Sequence, residues 1–231
     1  MHTGKKSVIS TFIVLVLLPG RALFAADKLQ TVLQQLDVAA ANFHSTTADF
    51  EFDSIQTDPV PDKDVQKGVV YYERKGNAFQ MGVHIGEVNG KIVPKVLTIS
   101  HGISRLFEKM VNQVTTFTKA GKYEGYLVLG FGASGKELAD KWYIKYLGSE
   151  EIDGVKTEKL ELVAKDPAVL KLLPKVEVWI DTERGVSLKQ VFDEGQGQSR
   201  ICHYYNIKTN QPLPPDAFAI KTDTKTQYIN R

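Results

Sequence analysis

The stretch that looks most chemical is Gly130-Phe131-Gly132-Ala133-Ser134-Gly135-Lys136-Glu137. Gly130, Gly132 and Gly135 fit the G-x-G-x-x-G spacing of dinucleotide-binding turns, and Gly130, Gly135 and Lys136 come close to a P-loop. A P-loop continues with Ser or Thr, whose hydroxyl holds magnesium. Glu137 stands there instead and would repel phosphate. Both motifs also sit between a parallel strand and a helix, and the surroundings read antiparallel. Ser134 lacks the G-x-S-x-G elbow, because Lys136 replaces the final glycine. The three glycines read instead as a hinge before a helix over 136–141.

Other reactive side chains are scattered. His2, His44, His84, His101 and His203 are the five histidines, and none sits at metal-ligand spacing. His203 adjoins Cys202, the only cysteine. Neighbours on a strand point to opposite faces and cannot share an ion. Cys202 reads as a buried strand residue rather than a nucleophile. The carboxylates mostly alternate along wet strand faces, with nothing to favour a glycosidase-like pair. The expectation is a binding protein, not an enzyme, with no metal and no cofactor.

These residues follow an N-terminal segment that reads as an export signal. Lys5 and Lys6 precede an apolar run over 12–18, Pro19-Gly20 ends it, and Ala22 to Ala26 supply small residues for cleavage. The run is far shorter than the roughly 20 residues of a membrane-spanning helix. Residues 1–26 are therefore expected to be a signal peptide, and 27–231 one soluble periplasmic domain. Of 29 basic residues, Lys5, Lys6 and Arg21 belong to the leader, which leaves 26 against 27 acidic ones. A near-neutral chain without a basic run gives no footprint for nucleic acid. No cysteine stands just after the leader, so N-terminal acylation is not expected. One cysteine cannot form an intramolecular disulfide, so a hydrophobic core must hold the fold.

The elements that would position these side chains are mostly strands. Residues 27–43 carry Leu29, Val32, Leu33, Leu36, Ala39, Ala40 and Phe43 at helical spacing. The period then becomes two: Ala48-Asp49-Phe50-Glu51-Phe52-Asp53 alternates apolar and acidic residues, as in a strand with one wet face. Phe79, Met81, Val83 and Ile85 lead to Asn89-Gly90, a two-residue hairpin signal. Strands are expected near 103–108, 114–118, 142–147 and 160–163, with a turn at Asp153-Gly154. Asp166-Pro167 should cap a short helix that stops at Pro174. Strands return over 176–181, 186–192 and 201–207, with a last one at Phe218 and Ile220. Ten or eleven short strands and three helical pieces give a mainly β, α+β fold: an antiparallel sheet curled toward an incomplete barrel.

Aromatic and large apolar residues are spread over most of these strands: Phe50, Phe52, Tyr72, Phe79, Met81, Phe117, Trp142, Trp179, Phe192 and Tyr204, with Phe131 inside the glycine segment. They fit either an ordinary barrel core or the lining of a lipid cavity. Composition leaves both open.

The order of elements resembles the LolA family of lipoprotein carriers. The resemblance rests on the leader, the N-terminal helix, Thr47-Ala48-Asp49-Phe50, and a late stretch. That stretch runs Val176-Glu177-Val178-Trp179-Ile180-Asp181, a turn at Gly185, Tyr204-Tyr205-Asn206-Ile207-Lys208-Thr209-Asn210, then Leu213-Pro214 before Phe218. It implies an incomplete barrel of about eleven strands with a helical lid. It also implies carriage of acylated lipoprotein from an inner-membrane exporter complex to an outer-membrane acceptor, by a monomer. In the family an arginine near the end of an early strand holds the lid shut. The matching segment has Lys75-Gly76 where the family often shows Arg-Pro, with Arg74 one place earlier. The expected latch is Arg74, or failing that Lys75, onto backbone carbonyls around 126–135. Two readings compete on the same fold: a carrier of free lipid or another hydrophobic molecule, and a sensor of the RseB type.

Overall fold

The computed structural model describes residues 20–76, 78–118 and 129–231. The apolar run of the leader and residues 126–128 of the expected lid lie outside them. Helix α1 spans Gly20–Ala41. Strands β1 (Ser45–Gln56), β2 (Asp62–Lys75), β3 (Ala78–Val88), β4 (Lys91–Ser100), β5 (Ile103–Glu108) and β6 (Gln113–Phe117) follow as a meander. Then come α2 (Gly135–Lys141), β7 (Trp142–Ile152), β8 (Val155–Ala164), α3 (Pro167–Leu172), β9 (Lys175–Asp181), β10 (Val186–Gly195), β11 (Gln198–Thr209) and β12 (Gln227–Asn230).

The twelve strands among the described residues join one sheet in the order β12-β6-β5-β4-β3-β2-β1-β11-β10-β9-β8-β7. Pairing is antiparallel except at the edge, where β12 runs parallel to β6. The two edge strands do not meet, so the sheet is the incomplete barrel that the sequence and the LolA resemblance implied. Its bend has local causes. Register slips at Lys67/Gly68, Ile85/Glu87, Tyr146/Gly148 and Ser187/Lys189 mark bulges, which sharpen twist and bend a strand. At Gly68 the curvature demands glycine: a Cβ there would lie 2.0 Å from the His84 carbonyl oxygen. The β3–β4 turn is the expected hairpin, with Asn89 at φ 50° and Gly90 at φ 74°, the positive pair of a type I′ turn.

Period-two alternation sends one residue set to the concave face. Phe50 and Phe52 of β1, Val70 and Tyr72 of β2, and Met81, Val83 and Ile85 of β3 share it with Cys202 and Tyr204 of β11. Leu160, Leu162, Val176 and Val178 continue it across β8 and β9, all buried. The helices lie on this face. Val32 and Leu36 of α1, Leu138 of α2 and Val169 of α3 pack with the β8 and β9 residues and Trp142 into one cluster. Both short helices are capped as their sequences direct. Asp166 Oδ1 accepts from the Ala168 N–H at 2.8 Å. Ser134 Oγ accepts from the Glu137 N–H at 3.1 Å, and Glu137 reaches back to the Ser134 N–H at 2.9 Å, a closed capping box.

The C-terminal part differs from the sequence expectation. Phe218 and Ile220 form no strand. Pro214 and Pro215 lack the N–H groups a ladder needs. The segment instead crosses the convex face of β3, where His84 Nε2 lies 3.2 Å from the Ala217 carbonyl oxygen. The closing strand comes later, at β12.

Candidate functional site

The two halves of the concave face end differently. Over β7–β9 the helices fill it. Over β1–β4, β10 and β11 they leave a cavity of about 730 Å³. Its floor is Phe50, Phe52, Val70, Met81, Val83, Ile85, Leu97, Phe192, Cys202 and Tyr204, and its roof is Val169, Leu172 and Leu173 from α3 and the residue after it. Polar side chains gather where the β10–β11 hairpin and α3 form the mouth: Gln66, Lys171, Glu194, Gln198 and Arg200. The lining inward of them is apolar apart from Gln190, whose amide donates to the Leu129 carbonyl.

An aromatic cluster closes the inner end. Phe131 is fully buried and meets Tyr204 edge to face at 4.9 Å between ring centroids. Tyr72 lies 6.0 Å from Phe131, 5.8 Å from Phe79 and 5.6 Å from Phe43, within the range of favourable ring pairs. Burial pushes the Tyr72 phenol up. The Arg74 guanidinium beside it opposes that shift, and the hydroxyl meets no partner in good hydrogen-bond geometry among the described residues. Next to Tyr204 on the mouth side along β11, burial pushes the Cys202 thiol up to about 12. It stays protonated at neutral pH and is a poor nucleophile.

The glycine segment proves to be tightly seated. Phe131 bridges to Val186, the Gly132 N–H donates to Gly185 O at 2.9 Å, and the Ser187 N–H to Gly130 O at 2.7 Å. Each glycine admits a close neighbour. A Cβ would lie 2.5 Å from Ser187 Cβ at Gly130, 2.2 Å from the Phe43 ring at Gly132, and 2.2 Å from the Leu33 carbonyl oxygen at Gly135. Expected as a hinge, the segment is a pinned strap between α1 and β10 in this conformation.

Arg74 reaches the helical layer, but by another contact than expected. Its Nη1 lies 3.4 Å from Glu137 Oε2 on α2. It finds that carboxylate rather than backbone carbonyls of the described part of 126–135. Burial alone would raise the Glu137 carboxyl. The Ser134 N–H and the Arg74 charge outweigh it and hold the group below its ordinary range. Lys75 is exposed and pairs within its own strand, 3.1 Å from Glu73.

Of the expected cavity residues, Phe50, Phe52, Met81 and Phe192 line the cavity. Tyr72, Phe79 and Phe131 form the wall behind it. Trp142 is buried in the filled half. Half-buried Phe117 of β6, opposite Ser104 of β5, is outside the lining. Trp179 is a correction: it alternates to the convex face, flanked by Lys159 at 4.4 Å and Lys189 at 4.7 Å, and its Nε1 donates to Glu150 at 2.6 Å. Val178 and Ile180 take the inward positions beside it. Period two contained that answer, and it also pointed to Val83, Ile85 and Cys202, which share parity with Met81 and Tyr204. Leu172 and Leu173 were legible only as part of a helix, with no sign of which element they would roof.

Comparison with known proteins gives the fold. No family model matches. An uncharacterized protein of Methanocaldococcus jannaschii is 27% identical over 113 residues, which is 49% of this chain and 31% of that protein's length. Among solved structures, an uncharacterized conserved protein from Thermus thermophilus superposes with a TM-score of 0.54 at 12% identity, over 88% of this chain and 99% of its own. MucB in the Pseudomonas aeruginosa MucA/MucB complex superposes at 0.50 and 13% identity, over 84% of this chain and 61% of that one. A LolA superfamily protein from Nitrosomonas europaea aligns at 0.40 and 16% identity, over 83% of this chain and 97% of its own. At such identities the likeness is one of fold. The architecture is an open antiparallel sheet with helices on its concave face, and the likeness extends to that fold alone.

Proposed function

We propose that the protein binds the acyl chain of a lipid in the cavity between the sheet and α3 and shields it from water during transfer in the periplasm. The observation that carries this reading is the cavity, apolar over its floor and roof and polar at one mouth. Each buried methylene is worth about 0.8 kcal/mol, so an acyl chain seated there is strongly favoured over one in water. On this reading the protein's role is binding rather than catalysis. Among the described residues no helix is long and apolar enough to cross a membrane. No group of three or more His, Cys, Asp or Glu among them could hold a metal.

The LolA resemblance points to lipoprotein as cargo, handed from an inner-membrane exporter to an outer-membrane acceptor. The volume favours a smaller load. About 730 Å³ falls within the roughly 300–1,000 Å³ of sites for one small ligand, which suits a free lipid or one acyl chain better than a triacylated group. Native mass spectrometry with lipidomics on protein purified from the periplasm tests both parts. Co-purifying lipid supports the reading, and its mass separates free lipid from lipoprotein. A protein that arrives empty and takes up neither dodecanol nor a triacylated peptide overturns it.

A further inference from the structure

The mouth of the cavity carries a charge pattern that the acyl-binding reading does not require. Arg200 on β11 and Glu194 on β10 face the same opening, with Nε 3.0 Å from Oε1. Lys171 on α3 stands across the mouth, exposed and with no acidic partner within salt-bridge distance among the described residues. Gln66 and Gln198 complete the rim with amide donors. Two cations therefore face one anion at the polar end of an apolar cavity, and five side chains there can donate or accept hydrogen bonds. The order along β11 fixes the polarity of the site. Gln198 and Arg200 lie at the mouth, and Cys202 and Tyr204 lie inward.

We infer that the site is built for an amphiphile with an anionic head, a phosphate or a carboxylate, whose chain lies along Phe50, Met81 and Tyr204 and whose head sits between Arg200 and Lys171. The inference rests on the acyl-binding reading and adds the head-group class. A chain inserted from this mouth leaves its head at the rim, where an uncharged head gains nothing from the cations. An anionic head accepts from the guanidinium and the ammonium together, and such charge-assisted bonds are the stronger class. Glu194 has a definite part in this. Its carboxylate occupies Arg200 while the site is empty, and an incoming head group displaces it. Arginine is suited to the exchange, since its fork can serve two acceptors.

The test compares heads on one chain length. Dodecyl phosphate, dodecanoate, dodecanol and dodecyltrimethylammonium are titrated into the full chain by isothermal titration calorimetry at low salt. Dodecyl phosphate and dodecanoate are expected to bind at least about tenfold more tightly than dodecanol, and the ammonium amphiphile more weakly than dodecanol. Arg200→Gln with Lys171→Gln should bring the affinity for dodecyl phosphate down to that for dodecanol. Glu194→Gln, which frees Arg200, should raise it. Added salt should shrink the preference, because exposed charges are screened over about 10 Å at 0.1 M. The relative size of the two anion affinities assigns the head as phosphate or carboxylate. Equal affinities for anionic, neutral and cationic heads overturn the inference and leave acyl binding standing. Failure of all four to bind overturns the inference, and if the protein also arrives empty and takes up no triacylated peptide the acyl-binding reading falls with it. A preference that survives in the double variant also overturns it, by placing the head elsewhere.

Discussion

Trp142 and Phe52 sit on the same face of one sheet, yet one is walled in and the other looks into open space. On the β7–β9 side, α1, α2 and α3 lay Val32, Leu36, Leu138 and Val169 over Leu160, Leu162, Val176 and Val178, and all of these are buried. On the β1–β4 side only one turn of α3 reaches over among the described residues, and Phe52, Val83, Ile85 and Leu97 remain half-buried around a cavity. The strands obey the same alternation on both sides. The difference is the supply of covering helix. A curled sheet makes a concave apolar surface, and whether that surface becomes core or binding site depends on how much of it the helices reach.

The comparison is most severely tested by truncation. Leu162→Ala in the filled half should cost about 2–5 kcal/mol in urea unfolding. Its neighbours cannot collapse into the gap, and its contacts are complete. Met81→Ala on the cavity floor should cost less than half as much, because its side chain already borders empty space. Equal losses would mean that the cavity is packed in solution and that the two halves do not differ.

The next effect is on binding. Phe52→Lys places a charged head near the mouth end of the floor, while its stem can lie along the wall and reach water. It should weaken dodecanol binding at least about tenfold and leave the circular dichroism spectrum of the wild type. An unaltered affinity would place the acyl chain elsewhere. A smaller effect is expected between the halves, at Tyr72. Its buried hydroxyl has no hydrogen-bond partner among the described residues, and an unsatisfied buried group costs about 1–3 kcal/mol. Tyr72→Phe keeps the ring stack with Phe79 and Phe131, so it should leave stability equal or raise it by up to about 1 kcal/mol. A loss above that figure would reveal a hydroxyl partner.

Much of this contrast was written in local sequence, and the rest was not. Alternation at Phe50-Glu51-Phe52 and at Met81 to Ile85 declared which side chains share a face. Asn89-Gly90 and Asp166-Pro167 declared a turn and a cap, and all of these are local signals. Trp179 was misplaced because an aromatic among β-branched residues looks like core unless its parity is followed. Its convex position depends on Lys159 and Lys189, which other strands bring alongside. The cavity was not legible at all. It exists because α3 ends at Leu172 and covers part of the floor, a relation between elements far apart in the chain. The mouth was hidden for the same reason: Gln66, Lys171 and Arg200 come from three elements.

The smallest expected effect concerns the one described ion pair that joins the early strands of the open half to α2. The Arg74 and Glu137 side chains are 22% and 47% exposed, and they meet at 3.4 Å. A pair this exposed and this long is worth roughly 0.2–1 kcal/mol. Arg74→Leu should therefore lower stability by no more than about 1 kcal/mol, and Glu137→Gln added to it should cost little more, since the amide oxygen can still accept from the Ser134 N–H. The pH dependence has a definite sign. Glu137 is held below its ordinary value of 4.5 in the folded protein, so its contribution is complete above that value and is lost as pH falls through the lower, folded one. The gap between wild type and Arg74→Leu should be open at about pH 7, narrow as pH falls below 4.5, and close once the carboxyl is protonated in both folded and unfolded chains. Salt should narrow it at neutral pH. If the pair also restrains α2, Arg74→Leu should quicken amide exchange in α2 while leaving β8 and β9 protected. A gap that persists at low pH would assign the role of Arg74 to packing against Tyr72 rather than to its charge.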